Sequence, residues 1–556
     1  MQETVSVEAA PGASRRLRVI SLARAALPTR AQAACAVVSA HLLLFAFPDT
    51  GAWPLAWVAL VPVLYQIARR PRAAQSFTSG LLAGTFFFYT SCYWLAYPMI
   101  HYADFPAPLA YALLLFPAAA GGLFPALFAL GLARLCARWG ASALVLAPVL
   151  WAASEWARLG VIGQLWNAVG YSQAFRPELI QAARFGGVYA VGFLVVAVNA
   201  ALAYLLLKRN ALAVLVTLAS LACVALLLLA AGLSRAPGTQ TQTGAFVVAV
   251  QPNVIPDFNR GEAEYDALRR RHFELSAAAL GEIDESNAVR NDESGAVVNQ
   301  PATVNAPPRV VVWPESPMNF TLARDRRFRE EVGRFVTERR TSLLFNSLEP
   351  AAGGGGYNAA VLVNEKGVLA AQYDKIRLMP FGEYVPLPRW VPGASLVRGV
   401  VGDFTPGERY NLIPLGETGP RAATFICLES AYPYITRRLT LEGADVLVEM
   451  TNDAYQGDTS ILRQHLSNAV FRAVENGRVL LRVTNTGVSA RVSPRGVVTD
   501  ETPRFKEAVR TWTVARSDGG ETFYTRFGDA FVAACALLSA AALALTFRGR
   551  RVLSQS

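Results

Sequence analysis

Three reactive side chains, a carboxylate, an ammonium and a thiol, follow one another in the second half of the chain, the carboxylate and the thiol each closing a short apolar run. Glu315 closes Val310-Val311-Val312-Trp313-Pro314-Glu315, Lys375 lies in Tyr373-Asp374-Lys375-Ile376-Arg377-Leu378, and Cys427 ends Ala422-Ala423-Thr424-Phe425-Ile426-Cys427 just before Leu428-Glu429. Cys427 alone among the six cysteines falls outside an apolar stretch of membrane length. The other five, Cys35, Cys92, Cys136, Cys223 and Cys535, sit where a thiol behaves as a small buried hydrophobe. A free thiol is mostly protonated at neutral pH, so its attack on an ester requires a base and a cation nearby. The trio therefore suggests nucleophilic acyl chemistry. Cys427 would be the nucleophile, Glu315 the base that shuttles its proton, and Lys375 the cation that favours thiolate and stabilises a tetrahedral oxyanion.

The elements that carry these groups are of two kinds. A chain of 556 residues that is 53% hydrophobic and only 17% charged is too apolar to be wholly soluble. Apolar stretches long enough to cross about 30 Å of hydrocarbon run over 31–48, 52–68, 76–98, 107–133, 141–158, 185–207, 211–234 and 526–547, eight in all, the first two short enough to form a re-entrant pair. The net charge of +11 could suggest nucleic acid, but its excess lies in the junctions between these stretches. Arg15, Arg16, Arg18, Arg24 and Arg30 precede the first stretch, and Arg69 to Arg72, Arg134 and Arg138, Lys208-Arg209 and Arg548 to Arg551 mark every second junction after it. This alternation reads as membrane topology, with residues 1–30 and the tail 548–556 cytoplasmic and the polar segment 240–520 outside. A cleaved secretory signal is the weaker reading of the N-terminus, because a second apolar stretch follows the first almost at once.

Within 240–520 the apolar runs shorten to strand length (246–250, 310–313, 342–345, 359–363, 422–426, 446–449, 479–483 and 488–492), with helical patterns over 260–282, 323–339 and 459–476. An α/β domain is predicted beside the seven-span membrane domain over 31–235 and the final span over 526–547. Residues 284–308 lack apolar period and end in proline, which predicts a disordered insertion. Gly353 to Gly356 read as a hairpin tip, since no GxxxxGK[ST] pattern accompanies them. His272 and His465 are read as structural, and with one cysteine and no ligand spacing neither a metal nor a cofactor is expected.

The motifs Trp313-Pro314-Glu315, Tyr373-Asp374-Lys375, Pro380-Phe381-Gly382-Glu383-Tyr384-Val385-Pro386, Ile426-Cys427-Leu428-Glu429 and Thr451-Asn452-Asp453-Ala454 occur in that order. In this set the chain resembles the nitrilase, or carbon-nitrogen hydrolase, superfamily. With the flanking spans and Phe47-Pro48, Trp53-Pro54-Leu55-Ala56-Trp57 and Gly170-Tyr171-Ser172-Gln173, it is similar specifically to the bacterial apolipoprotein N-acyltransferases. That resemblance covers most of residues 35–547 and implies an α-β-β-α sandwich with a Glu315, Lys375 and Cys427 triad.

It further implies Glu383 as a second active-site carboxylate and Glu429 as a group beside the nucleophile, with Asn358, Tyr384 and Asn452 in support. Trp166, Phe258 and Trp390 are expected near the substrate, the last two with Tyr384 and Val391 as an apolar lid. The implied reaction takes the sn-1 acyl chain of a phospholipid, typically phosphatidylethanolamine, onto Cys427 and passes it to the α-amine of a diacylglyceryl-cysteine lipoprotein. A monomer in the bacterial inner membrane with a periplasmic site is expected, without nucleic acid. Two departures bear on substrate fit: the 284–308 insertion is long, and Leu428 replaces an aromatic beside the nucleophile. Two rivals stay open: a membrane-tethered amidase using water as acceptor, and a non-catalytic binding or transport protein. The scarcity of intramembrane charge, Glu155 being the main exception, weighs against transport.

Overall fold

A computed structural model describes residues 25–234, 244–257, 259–293, 307–315, 318–351, 353–386 and 404–548. The apolar stretches fold as helices: α1 (Arg30–Ala46), α2 (Val61–Arg69), α3 (Ala73–Ser91), α4 (Ala107–Trp139), α5 (Ala147–Ile162), α6 (Ala183–Lys208) and α7 (Ala211–Leu233). Among the described residues, four helical stretches are long and apolar enough to cross a membrane: Ala107–Ile162, which holds both α4 and α5, then Ala183–Lys208, Ala211–Leu233 and Ala530–Phe547. The eight expected from hydropathy are thus not eight by helix length. α1 has only 17 residues. The second stretch is broken into a 3-10 turn at Trp53–Leu55 and two short helices, Ala56–Ala59 and α2, with prolines starting the turn and α2, and α3 carries Gln75, Ser76, Thr78 and Ser79 in its first turns.

Close approach of α3 and α4 depends on glycine. A Cβ on Gly122 would lie 2.5 Å from Thr85 Oγ1, and one on Gly80 would lie 2.5 Å from the Pro125 carbonyl oxygen. Small residues facing each other let helix backbones approach where lipid supplies no hydrophobic drive. In α6, Gly186 and Gly187 break the helical backbone, Gly187 at φ 64°, so Val188 begins a new helical run, its amide donating to Glu475 Oε1 at 2.9 Å.

The domain that follows has two six-stranded sheets. The first contains β1 (Ala245–Gln251), β2 (Arg309–Val312), β3 (Ser342–Pro350), β4 (Gly356–Val363), β5 (Leu369–Asp374) and β12 (Ala508–Val514), in the order β12-β1-β2-β3-β4-β5. The second runs β11-β10-β9-β8-β7-β6, from β6 (Ile413–Pro414), β7 (Arg421–Ile426), β8 (Val446–Thr451), β9 (Val479–Thr484), β10 (Ala490–Val492) and β11 (Val498–Thr499). Parallel pairs form the middle of each sheet: β1 with β2 and β2 with β3, then β7 with β8 and β8 with β9. These strands are buried almost throughout, which is why they read as continuous Val, Leu and Ile runs rather than alternating ones.

Helices α8 (Glu262–Glu293) and α9 (Arg326–Arg339) pack on the first sheet, and α10 (Pro433–Leu441) and α11 (Ile461–Asn476) on the second, giving the α-β-β-α order. The final helix, α12 (Ala530–Arg548), returns to pack on α5 and α4. One buried core joins the membrane helices to the space between the sheets, and a second lies under α8 and α9. All eight strands expected from apolar runs are present, and β5, β6, β11 and β12 are additional. Of residues 284–308, expected to be a disordered insertion, 284–293 are instead helical, because α8 continues to Glu293. Backbone hydrogen bonding carries the helix on where apolar period has already lapsed. Residues 294–306 lie outside the described residues.

Candidate active site

Parallel strands deliver several of the candidate groups at their C-terminal ends, where open α/β sheets commonly bind ligands. Glu315 follows β2, Cys427 follows β7, and Asn452 and Asp453 follow β8. Lys375 leaves β5, its amide donating to the Asn358 carbonyl on β4 at 2.9 Å. Its Nζ is 3.1 Å from Glu315 Oε1 and 2.9 Å from Glu383 Oε1, with the side chain 2% exposed. Asn358 Nδ2 donates to the same two oxygens, at 3.0 Å to Glu315 and 2.5 Å to Glu383, and its own Oδ1 accepts from Asn346 Nδ2 at 2.6 Å. The other Glu383 oxygen accepts the Met379 amide at 2.7 Å, which fixes the carboxylate through its own loop.

Lys375 is charged in this setting. Burial opposes its charge, but Glu315 and Glu383 outweigh burial and hold the ammonium well above its ordinary range. Cys427 goes the same way for another reason. Burial, Glu315 and Asp453 push its thiol well above the usual value, against the pull of Lys375 and a hydrogen bond from Thr451. Cys427 therefore rests as a thiol, and any attack by its sulfur requires a base to take the proton. Cys427 also holds a left-handed backbone, φ 53°, at the head of the short turn Cys427–Ala431. A non-glycine residue there is strained by roughly 1–2 kcal/mol and needs its surroundings to hold it.

Glu429 does part of that holding. It is fully buried. Its Oε2 accepts the Ile426 amide at 2.7 Å, and its Oε1 accepts the amides of Ile376 at 2.7 Å and Arg377 at 3.1 Å. The Tyr373 hydroxyl donates to both oxygens, at 2.9 and 3.0 Å. One carboxyl thus ties the residue before Cys427 to the two residues after Lys375. Burial raises its pKa to about 7 even with those donors and Lys375 opposing.

Comparison with known proteins places this geometry in a family. Residues 39–201 match the apolipoprotein N-acyltransferase N-terminal domain, and residues 308–524 match the carbon-nitrogen hydrolase domain. An apolipoprotein N-acyltransferase of Geobacter metallireducens is 30% identical over 528 residues, covering 93% of this chain and 95% of the relative. The chain belongs to the apolipoprotein N-acyltransferase family. Apolipoprotein N-acyltransferases of Allorhizobium ampelinum and Nitrosomonas europaea are 30% and 29% identical, over 84% and 90% of this chain and 85% and 94% of theirs. A solved amidase from Nesterenkonia sp. AN1 aligns with 53% of this chain and 98% of its own at 18% identity, with a TM-score of 0.34.

In this apolipoprotein N-acyltransferase family member, the residues expected at the site divide into three groups. Glu315, Lys375, Glu383 and Asn358 form one hydrogen-bonded cluster, with Cys427 within its electrostatic reach and Glu429 bracing the backbone on both sides. Asn452 stands apart from the cluster, its Oδ1 accepting from the Ala454 amide at 3.2 Å and Asn485 Nδ2 at 3.0 Å. Tyr384 is exposed and meets the cluster's loop through its backbone, where its carbonyl accepts from the Phe381 amide. Trp166 is buried between the membrane helices and α11, donating Nε1 to Gln464 Oε1 at 2.9 Å. Phe258, Trp390 and Val391 lie outside the described residues.

Two roles were hidden from the sequence. Tyr373 is legible only as a neighbour of Lys375, and its hydroxyl finds Glu429 because β5 and the Cys427 turn face each other across the two sheets. His465, read as structural for want of ligand spacing, has Nε2 3.1 Å from the Cys427 carbonyl oxygen. His272 is a buried core side chain. Its Nδ1 faces the Leu268 carbonyl at 2.7 Å, its ring lies against Trp313, and burial lowers its pKa to about 4.

Proposed function

We propose that this protein transfers an acyl chain from a phospholipid to the N-terminal amine of a lipoprotein, through a thioester on Cys427. The observation that carries the proposal is the pair of carboxylates on one buried lysine, Glu315 and Glu383 on Lys375, next to a thiol in a left-handed turn. Glu315 takes the Sγ proton as sulfur attacks the ester carbonyl carbon. Charge that develops on the carbonyl oxygen is met by Lys375. The ester C–O bond breaks, Glu315 returns the proton to the departing lysophospholipid hydroxyl, and the acyl group stays on Cys427. In the second half the lipoprotein α-amine attacks the thioester carbon and yields its proton to Glu315. Sulfur then leaves and is reprotonated, closing the cycle with an amide.

Glu383 has a different part. It shares Lys375 with Glu315 and holds the 379–383 loop through the Met379 amide, so it orients the lysine and keeps it charged. Both substrates are anchored in lipid, and a site on a domain packed against apolar helices meets them without drawing acyl chains into water. The sn-1 chain of phosphatidylethanolamine is the donor and a diacylglyceryl-cysteine the acceptor in this reading.

A periplasmic site in the inner membrane has support from where charge lies. The catalytic domain meets the C-terminal ends of α3 and α5 and the kink at the start of α6, through Ser91, Trp166 and Val188. Basic residues collect at other ends: Lys208 and Arg209 at the far end of α6, and Arg134 near the end of α4, over the Phe547 ring of α12. Cytoplasmic loops carry such excess. The test is the intact mass of protein incubated with a phospholipid of known chains. An acyl-sized increment on the wild type, absent from Cys427→Ala and discharged by a diacylated lipopeptide amine as N-acyl product, is expected. Release of free fatty acid with no N-acylated lipopeptide would instead make the protein a hydrolase.

A further inference from the structure

Beneath the Cys427 turn lies a closed cluster of four charged side chains that the acyl-transfer steps do not use. Glu449 is on β8, Asp453 just after it, Arg482 on β9 and His465 on α11, and none is more than 2% exposed. Arg482 pairs with both acids, Nη1 to Glu449 Oε2 at 2.6 Å and Nη2 to Asp453 Oδ2 at 2.7 Å. His465 completes the square, with Nδ1 2.7 Å from Asp453 Oδ1 and Nε2 3.2 Å from Glu449 Oε1. Its Nε2 is also 3.1 Å from the Cys427 carbonyl oxygen. Every atom facing the ring nitrogens is an acceptor, so both nitrogens must carry protons. Two acids and two cations leave the cluster neutral.

The residue before His465 is committed elsewhere. Gln464 Oε1 accepts from Trp166 Nε1 at 2.9 Å and Trp94 Nε1 at 3.1 Å, and Gln464 Nε2 donates to the Ser91 carbonyl at 3.0 Å. All three partners belong to the membrane domain. One turn of α11 therefore grips the membrane-domain loops with one side chain and the nucleophile's backbone with the next.

We propose that His465, as an imidazolium, is a positioning residue that holds Cys427 in its left-handed turn by donating Nε2–H to the Cys427 carbonyl, from a helix that Gln464 fastens to the membrane domain. This rests on the reading of Cys427 as the acyl-accepting nucleophile. The turn is strained, and the carbonyl bond opposes its relaxation to an ordinary backbone. Its donor carries a charge, which makes the bond about twice as strong as a neutral one. Asp453, Glu449 and Arg482 are the titratable and charged groups facing the ring. Burial works against its charge, but the two acids raise its pKa to about 9. Loss of that proton lets one nitrogen turn from donor to acceptor, and the grip on the carbonyl weakens.

The test is the single-turnover rate of acyl-Cys427 formation from a defined phosphatidylethanolamine, on full-length protein in nanodiscs from pH 7 to 10. Thermal unfolding is followed at each pH. For the wild type the rate should fall about tenfold or more as pH rises through about 9, whereas a thiol limited only by its own ionisation speeds up with pH. A rate that rises or stays level across that range overturns the proposal. His465→Gln should acylate at least about 100-fold more slowly at pH 7.5, with the KM for phospholipid within about twofold and no fall above pH 8. An equal rate in the variant overturns the proposal. Where the variant does not fold, the wild-type pH profile decides alone. Absence of any acyl adduct on wild-type Cys427 would instead remove the functional reading on which the inference stands.

Discussion

Replacing Lys375 by methionine removes one charge from a three-charge cluster and leaves its shape nearly intact. In the native cluster the ammonium lies 3.1 and 2.9 Å from two carboxylate oxygens. Each contact represents about 5 kcal/mol of gross attraction at an effective dielectric near 20. Without the lysine, the two carboxylates face each other. Their oxygens both bond Asn358 Nδ2, at 3.0 and 2.5 Å, so they are no more than about 5.5 Å apart, where repulsion is about 3 kcal/mol. Removing one partner of a buried ion pair costs about 3–5 kcal/mol, and for a domain of this size each kcal/mol lowers Tm by about 2–4 °C. Lys375→Met should therefore lower Tm by on the order of 10 °C and slow acyl-Cys427 formation by about 10²–10³, the usual cost of a lost oxyanion donor.

The double variant Lys375→Met with Glu383→Gln separates charge balance from chemistry. Removing the second carboxylate relieves the repulsion, so about 3 kcal/mol of stability should return while the rate stays low. Thermal unfolding of the four proteins of the cycle gives the coupling, and intact-mass kinetics with a labelled phospholipid gives the rates. A double variant less stable than Lys375→Met alone, or one that regains the rate, would refute the reasoning.

Two further outcomes follow from buried contacts away from Glu315, Lys375 and Cys427. Burial raises the pKa of Glu475 to about 7 against the opposing pull of Arg472 and the Val188 amide, so between pH 4.5 and 7 the folded protein binds more protons than the unfolded chain. This group's stabilising share is full below pH 4.5 and lost as pH rises through 7, by about 3 kcal/mol. Glu475→Gln should flatten that part of the Tm-against-pH curve, and an unchanged slope would show that Glu475 is not its source. In the membrane domain, a Cβ on Gly84 would lie 2.8 Å from both Gly122 Cα and Pro125 Cγ. Gly84→Leu should force α3 and α4 apart at a cost of about 1–3 kcal/mol or more, read as a lower Tm in detergent with acyl-Cys427 still formed by the folded fraction. A wild-type Tm would mean that the two helices do not pack there.

Local chemistry carried a large part of this protein into view. Cys427 and Glu315 stand out because each is a reactive group at the edge of an apolar run, and parallel strands buried on both faces are such runs, whereas Lys375 follows the partly exposed antiparallel strand β5 and was legible only through its motif. Apolar length and basic junctions exposed the membrane helices for the same reason, since burial in lipid or between layers is written into consecutive residues. What spans the gaps in the chain was not so written. The exposed alternation of β12 (Ala508–Val514) gave no apolar run, yet it pairs along the whole of β1. Glu429 became a brace only when Ile376, Arg377, Tyr373 and Ile426 converged on it. Trp166, read from sequence as a substrate-side or interfacial aromatic, is buried against Gln464, 298 residues away in the chain. His465 lay on an ordinary polar helix until β7 and β8 brought Cys427, Glu449 and Asp453 around its ring. Residue type and neighbours decide what a side chain can do. Only packing between distant segments decides which partners it meets, because hydrogen bonds and ion pairs act over a few ångströms and nothing in the order of residues records that distance.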